Sequence, residues 1–282
     1  MSTKREYHVV DVFAAVPLQG NPVAVFIDGD GLSREVMQAT ARELNLSETV
    51  FVTAGRDGAD ACVRIFTPAT ELPFAGHPVL GTAVVLAQRE GADRLGLMTG
   101  SGLVTVTLAR EDGRVTAGEM EQPVPTWAPL PEADVVLAAL DVAQSALPVE
   151  VYDNGPRHAF VACNNAAQVA RLRPDMAALQ DAGEFGVSCF ALDGDRVKTR
   201  MFGPALGVPE DPATGSAAGP LAVHLARHGW TRFGEQITIS QGQEVGRPSV
   251  LRAVAHGSAA HLERVLVAGE AVIVARGEYR LQ

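Results

Sequence analysis

The sequence predicts an α+β protein built as two similar units in tandem. Three observations carry that reading: a glycine-rich segment that occurs twice, the same mixture of strand and helix patterns in both halves, and a proline-rich stretch between them. The duplicated segments run from Phe74 to Gly91 and from Pro212 to Gly229. Gly81 pairs with Gly219, Arg89 with Arg227 and Gly91 with Gly229, each 138 residues apart (219 − 81) in a chain of 282. Small residues let a chain turn tightly into a helix, whose first turn carries free N–H groups and a partial positive charge. Two such helix starts facing one crevice would hold a small anionic ligand between them.

In the first half, Tyr7 to Phe13 and Val23 to Ile27 are rich in β-branched residues and are separated by the turn signal Gly20-Asn21-Pro22. Ser33 is placed to cap a helix patterned on Met37, Thr40, Ala41 and Leu44, with Asn45 at its C-terminal end. A strand follows over Thr49 to Thr53. Ala61 to Phe66 and Leu103 to Leu108 alternate with the period of half-buried strands, and a helix over 78–90 lies between them. From Gln122 to Glu132, four prolines (Pro123, Pro125, Pro129, Pro131) predict a crossover without regular backbone pairing. The second half repeats the mixture with strands near Val149–Tyr152, His158–Ala162, Val187–Ala191 and Lys198–Phe202, a helix over 215–228, and strands near Ile237–Ser240 and Ser249–Ala255. The expected units are 1–121 and 122–269. A last strand, Ala271 to Ala275, could return to either sheet, so 270–282 could join the first unit.

Composition narrows the function. With 47% hydrophobic residues a sizeable core is assured. The net charge of −10, from 23 Lys and Arg against 33 Asp and Glu, with no basic stripe, argues against nucleic acid as a partner. No apolar run approaches the ~20 residues of a membrane span, and the N-terminus lacks a secretory pattern. A cytoplasmic location is expected. Cys62, Cys163 and Cys189 are odd in number and widely spaced, which argues against a disulfide framework or a zinc site.

Three polar stretches interrupt apolar surroundings at element ends: Asn45-Leu46-Ser47-Glu48-Thr49, Gly76-His77, and Glu210 to Ser216. Together they offer the parts of a proton-transfer site. Glu48 reads either as a solvated carboxylate at a strand end or as a general acid/base whose pKa rises through burial. His77 is a structural histidine or, at a helix start, a neutral imidazole able to donate one hydrogen bond and accept another. Asp211 could cap the helix that follows and still serve a site. Gly215 and Ser216 offer backbone N–H donors for a carboxylate. His158, after Gly155-Pro156-Arg157, could reach the cleft but is more often a strand residue. His224 and His228, four apart, lack an intervening Glu and a clear third ligand, so no metal is expected. Neither a phosphate loop nor a Gly-x-Ser-x-Gly elbow is present.

Taken together, Gly20 to Phe26, Asn45 to Thr49, Leu72 to Pro78, Glu210 to Ala217 and Gln241 to Ser249 resemble the phenazine-biosynthesis PhzF family, in order and over essentially the whole chain. The resemblance implies the diaminopimelate-epimerase-like fold, in which two similar α+β domains each curl a sheet around a central helix, with the site between them. It also implies a homodimer without a cofactor. Epimerases and racemases of that fold use a cysteine on each side of the cleft, whereas Ala75 and the Asp211 region carry none, which argues against two-base racemisation. Carried over, Glu48 becomes the acid/base, His77 and Asp211 complete the polar site, and Gly76, Gly215 and Ser216 contact the substrate. The implied substrate is trans-2,3-dihydro-3-hydroxyanthranilate, a small cyclic carboxylate isomerised by proton transfer from C3 to C1; the alternatives are an isomerase or epimerase of the family acting on another small cyclic carboxylate, and a non-catalytic small-molecule binding protein.

Overall fold

The computed structural model describes residues 3–281. Its first unit runs β1 (Thr3–Val12), β2 (Asn21–Phe26), α1 (Arg34–Leu44), β3 (Glu48–Ala54), β4 (Ala61–Phe66), β5 (Glu71–Leu72), α2 (Gly76–Glu90), β6 (Arg94–Thr99), β7 (Gly102–Glu111) and β8 (Arg114–Gln122). The chain continues through β9 (Thr126–Pro129), α3 (Ala133–Ala139), β10 (Glu150–Asp153), β11 (Arg157–Ala162), α4 (Ala166–Arg171), α5 (Met176–Asp181), β12 (Gly186–Asp193), β13 (Arg196–Gly203), β14 (Val208–Asp211), α6 (Gly215–Arg227), β15 (Ile237–Gln241), β16 (Ser249–Gly257) and β17 (Leu262–Leu281).

Strand pairing closes the first unit around α2. The ladder β1-β2-β3-β4-β6-β7-β8 is completed by β17, which pairs with β8 through Val265–Glu270 and with β1 through Ala271–Leu281. The open question of the last strand is thus resolved toward the first sheet, and the strand is far longer than Ala271 to Ala275. Its opening residues pair with β16, so β17 also edges the second sheet, β16-β15-β13-β12-β11-β10-β9, which curls around α6. Helix α2 is buried from Gly76 through Ala87 and α6 from Gly215 through Leu225. A helix apolar on all sides is stable only when enclosed in this way.

The duplicated segment maps onto equivalent structure. At Gly81 and Gly219 each helix packs too tightly on its sheet to leave room for a side chain. A methyl at Gly81 would stand 2.6 Å from Val23 Cγ1, and one at Gly219 would stand 2.6 Å from Val265 Cγ1 and collide with Gln122 Oε1. Gly91 and Gly229, at φ 77° and 75°, take the left-handed conformation that ends each helix. Arg89 and Arg227 each reach back from the last helical turn to a glutamate on a strand of the surrounding sheet, Glu6 on β1 and Glu150 on β10. In α1, Ser33 Oγ accepts from Val36 N and Asn45 closes the helix at φ 52°, as the caps predict.

One expectation about the elements needs correction. The proline-rich crossover is not free of pairing, because Thr126–Pro129 form β9 against β10. Pro129 tolerates this at the end of an edge strand, where a missing N–H leaves no central ladder broken. Strands β6 and β8 and the short helices α3, α4 and α5 lie outside the predicted elements; in β8 the inward positions 118 and 122 hold Gly118 and Gln122, where apolar side chains would have marked the strand.

Alanine at Gly81 or Gly219 should destabilise the fold by about 1–3 kcal/mol through overpacking. The larger loss is expected at Gly219, where Gln122 is in the way, and urea unfolding of the two variants beside the parent protein would measure it.

Candidate active site

The two helix starts meet tip to tip. A methyl on Gly76 would stand 2.6 Å from the Gly215 carbonyl carbon and 2.7 Å from Ser216 N, and one on Gly215 would stand 3.0 Å from His77 N. Only glycine at both positions allows that approach. The first amides of each helix lack intrahelical acceptors by position, and both positive ends converge on one pocket. All six residues singled out from the sequence, Glu48, Gly76, His77, Asp211, Gly215 and Ser216, line it together with His158, Met201 and Thr214.

Glu48 opens β3, which lies parallel to β2 beside it, and its side chain points inward rather than to solvent. Burial and the neighbouring Asp211 carboxyl push its pKa well above the ordinary value. Asp211 is itself raised to about 6 by burial, with hydrogen bonds from Thr214, Asn21 and Ser47 pulling the other way. The two carboxyls therefore share protonation and titrate as a pair. Burial lowers His77 to about 3, so the imidazole is neutral.

The tautomer of His77 follows from Asn21. The Asn21 amide nitrogen donates to Asp211 Oδ1 at 2.7 Å and to the Ala213 carbonyl at 2.9 Å, and these two acceptors fix its orientation. The same NH₂ group faces His77 Nδ1 at 3.2 Å. His77 Nδ1 accordingly carries no proton, and the ring's N–H is at Nε2. Nε2 lies 3.1 Å from Glu48 Oε2, yet neither atom is aligned for a hydrogen bond to the other or to any protein group. A neutral imidazole N–H and a carboxyl of raised pKa thus both face the pocket with unused hydrogen-bonding capacity.

Asp211 does not cap α6. Thr214 holds the cap position without a side-chain bond to the helix, while Asp211 Oδ2 accepts from the Thr214 hydroxyl at 2.7 Å. The reason is the β14 backbone, which ends at Asp211 three residues too early for a cap and turns its carboxyl toward Asn21 and Glu48.

The α6 start is strapped by amide side chains from three strands or turns around it. Pro220 has no N–H to give the Ser216 carbonyl, and Asn154 Nδ2 takes that acceptor at 2.9 Å. Gln122 Nε2 donates to the Gly215 carbonyl at 2.8 Å, and Gln241 Nε2 to the Asp211 carbonyl at 2.8 Å. Asn21, Gln122, Asn154 and Gln241 are the residues sequence reasoning missed. Only Pro220, inside a helical pattern, signalled that an orphaned carbonyl would need a partner. His158 satisfies both of its readings: it lies on β11, and its ring enters the pocket and meets Ser216.

Outside this pocket, Glu150 supplies the third metal-ligand group that His224 and His228 lacked in sequence. Arg227 is already bonded to that carboxylate at 2.7 Å and lies 4.2 Å over the Trp127 ring, so a built-in cation neutralises the cluster. Burial raises Glu150, but hydrogen bonds from Arg227 and His228 outweigh it and hold the carboxyl at about 2. Cys62, Cys163 and Cys189 are buried and absent from the pocket lining. No described helix is long and apolar enough to cross a membrane.

The sequence model of the family described as "Phenazine biosynthesis-like protein" matches residues 10–277. A trans-2,3-dihydro-3-hydroxyanthranilate isomerase of Pseudomonas chlororaphis is 52% identical over 271 residues, which cover 96% of this chain and 98% of that protein. Among solved structures, a predicted epimerase from Pseudomonas aeruginosa is 33% identical with a TM-score of 0.83, covering 98% of this chain and 99% of that one. A PhzF-family phenazine biosynthesis protein from Bacillus anthracis superposes with a TM-score of 0.85 at 24% identity, covering 98% and 99% of the two chains. The chain belongs to the PhzF family of phenazine biosynthesis-like proteins, on the diaminopimelate-epimerase-like fold.

Proposed function

We propose that the protein is a cofactor-independent isomerase that converts trans-2,3-dihydro-3-hydroxyanthranilate to 6-amino-5-oxocyclohex-2-ene-1-carboxylate, with Glu48 as the proton carrier. The observation that carries the reading is the setting of Glu48: a buried carboxyl of raised pKa facing two abutting helix N-termini across one pocket. The 52% identity to the Pseudomonas chlororaphis isomerase over nearly the whole of both chains supports the substrate. The same reading divides the chain at 121/122, with 270–282 joined to the first unit, and takes the protein as a cytoplasmic homodimer; light scattering on the purified protein tests the dimer.

The chemistry needs one base. The C3 proton is acidified by the diene conjugated to the ring carboxylate. Glu48 takes that proton; the C3–H electrons form C3=C4, the C4=C5 pair moves to C5=C6, and the C6=C1 pair forms the new C1–H bond with the proton Glu48 returns. Both carbons lie on one ring, two atoms apart, so a single carboxyl above that face serves both steps. The resulting enol relaxes to the ketone, and no oxidant or reductant enters the balance. The α6 start at Gly215 and Ser216 holds the substrate carboxylate, whose charge grows as C3 loses its proton, so the contact strengthens toward the transition state. His77 Nε2–H and Asp211 address the substrate's polar substituents.

Incubation with trans-2,3-dihydro-3-hydroxyanthranilate should yield the aminoketone; an unaltered substrate would overturn the assignment. Ser216→Ala, which keeps its backbone donor, should reduce kcat/KM by about tenfold, the worth of one hydrogen bond to a charged group. The acid limb of the kcat/KM profile should lie above the ordinary carboxylate value of 4.5, because the base must ionise from a raised pKa. Asp211→Asn removes one cause of that rise and should shift the limb to lower pH, whatever it does to the maximum rate.

The same shift sets a stability difference. A carboxyl whose pKa is raised by folding stabilises the fold fully below its unfolded value, and that stability is lost as pH rises through the folded value. Glu48→Gln stays neutral throughout. Its Tm should therefore exceed that of the parent protein by about 2 °C or more at pH 7.5, and the gap should narrow toward pH 4.5.

A further inference from the structure

His158 stands on β11 against the α6 start. Its Nε2 lies 3.0 Å from Ser216 Oγ, and both side chains are buried. The other ring nitrogen, Nδ1, is also buried and has no protein partner. Across from it in the parallel register is Gly186 of β12, where a methyl would stand 3.1 Å from Nδ1 and 3.0 Å from Met201 Sδ. The absent Cβ makes room for both the ring and the Met201 thioether. Burial lowers the His158 pKa to about 4, so the ring is neutral and carries a single N–H.

That N–H has two places to be. On Nδ1 it would be a buried donor with no acceptor, whereas on Nε2 it is used by Ser216 Oγ and leaves only an unpaired acceptor behind. Orphaned buried donors are the rarer and costlier case. A serine hydroxyl has one donor and two acceptor sites. Without a partner, Ser216 in the first turn of a helix could rotate to bond the preceding backbone.

We propose that His158 is a positioning residue: its Nε2–H holds Ser216 Oγ as an acceptor and so turns the Ser216 hydroxyl proton toward the anion bound at the α6 N-terminus. The proposal rests on the assignment of that helix start as the substrate-carboxylate site. It makes Ser216 a dedicated donor, and it explains why a buried histidine, a glycine and a methionine are packed together behind it. His158 touches no reacting atom and acts only through Ser216.

A double-mutant cycle tests this, with anthranilate as a planar probe carrying the carboxylate and the adjacent amine, titrated by calorimetry at pH 7.5. Ser216→Ala and His158→Leu should each raise Kd by about tenfold. The double variant should bind no worse than Ser216→Ala alone, because the histidine has nothing left to position. His158→Gln, whose terminal NH₂ can reach the place of Nε2–H, should recover most of the loss. Losses that multiply in the double variant, or wild-type binding by His158→Leu while Ser216→Ala is weak, would overturn the role of His158 alone. Wild-type binding by Ser216→Ala would overturn the carboxylate site itself. Independently of any variant's folding, a long-range proton–nitrogen NMR spectrum of the parent protein should show the His158 proton on Nε2; a proton on Nδ1 would overturn the proposal.

Discussion

The contact on which the site depends is the abutment of two helix N-termini at Gly76 and Gly215. Neither residue can carry a Cβ without displacing the other helix's backbone. Bringing two partial positive ends together is unfavourable unless acceptors lie nearby. The protein supplies Asp211 and Glu48, and the proposed substrate carboxylate would add a third. The duplicated fold is what makes this possible, since each unit wraps one such helix in its own sheet and presents its tip to the shared crevice.

Two opposing effects set the electrostatics. Helix ends and hydrogen bonds from Asn21 and Thr214 favour ionised carboxyls, while burial and the mutual proximity of Glu48 and Asp211 disfavour them, and burial prevails. The outcome is a proton held more tightly than by a free carboxyl and still exchangeable, which suits a group that must accept and return the same proton. The cost in stability is met by polar straps. Asn21 from β2 and Gln122 from β8 bond to Ala213 and Gly215 at the α6 start, and Arg247 returns to Asp11 and the Gly20 carbonyl. Such fixed donors need no rearrangement as charge develops, which is the physical content of preorganisation.

Much of this can be read from residues alone because the informative positions are constrained by backbone. The Gly81/Gly219 and Gly91/Gly229 pairs mark helix crossings and helix ends, and they mark the duplication. Glu48, His77 and Asp211 stand at element ends, where a sequence pattern breaks and a polar group becomes visible. The straps stay hidden because Asn21 looks like a turn residue beside Gly20 and Pro22, and Gln122 like the start of a linker; their partners are 93 or more residues away in the chain. Spacing allows Asp211 both a cap and a site role, and only the first fails, because capping depends on where the preceding strand releases the backbone, which spacing does not specify. The closure of the first sheet by β17 is likewise a long-range pairing, and Ala271 to Ala275 carries no mark of which neighbour it will choose.

The account stands or falls on Glu48 as the group that removes the C3 proton. Proton NMR of trans-2,3-dihydro-3-hydroxyanthranilate in deuterated water, with the parent protein and with Glu48→Gln, reads that step directly. The C3 proton signal should vanish as the aminoketone appears with the parent protein, and should persist with a folded Glu48→Gln variant that still binds anthranilate. Loss of the C3 proton at near parental rate in the variant would contradict the account.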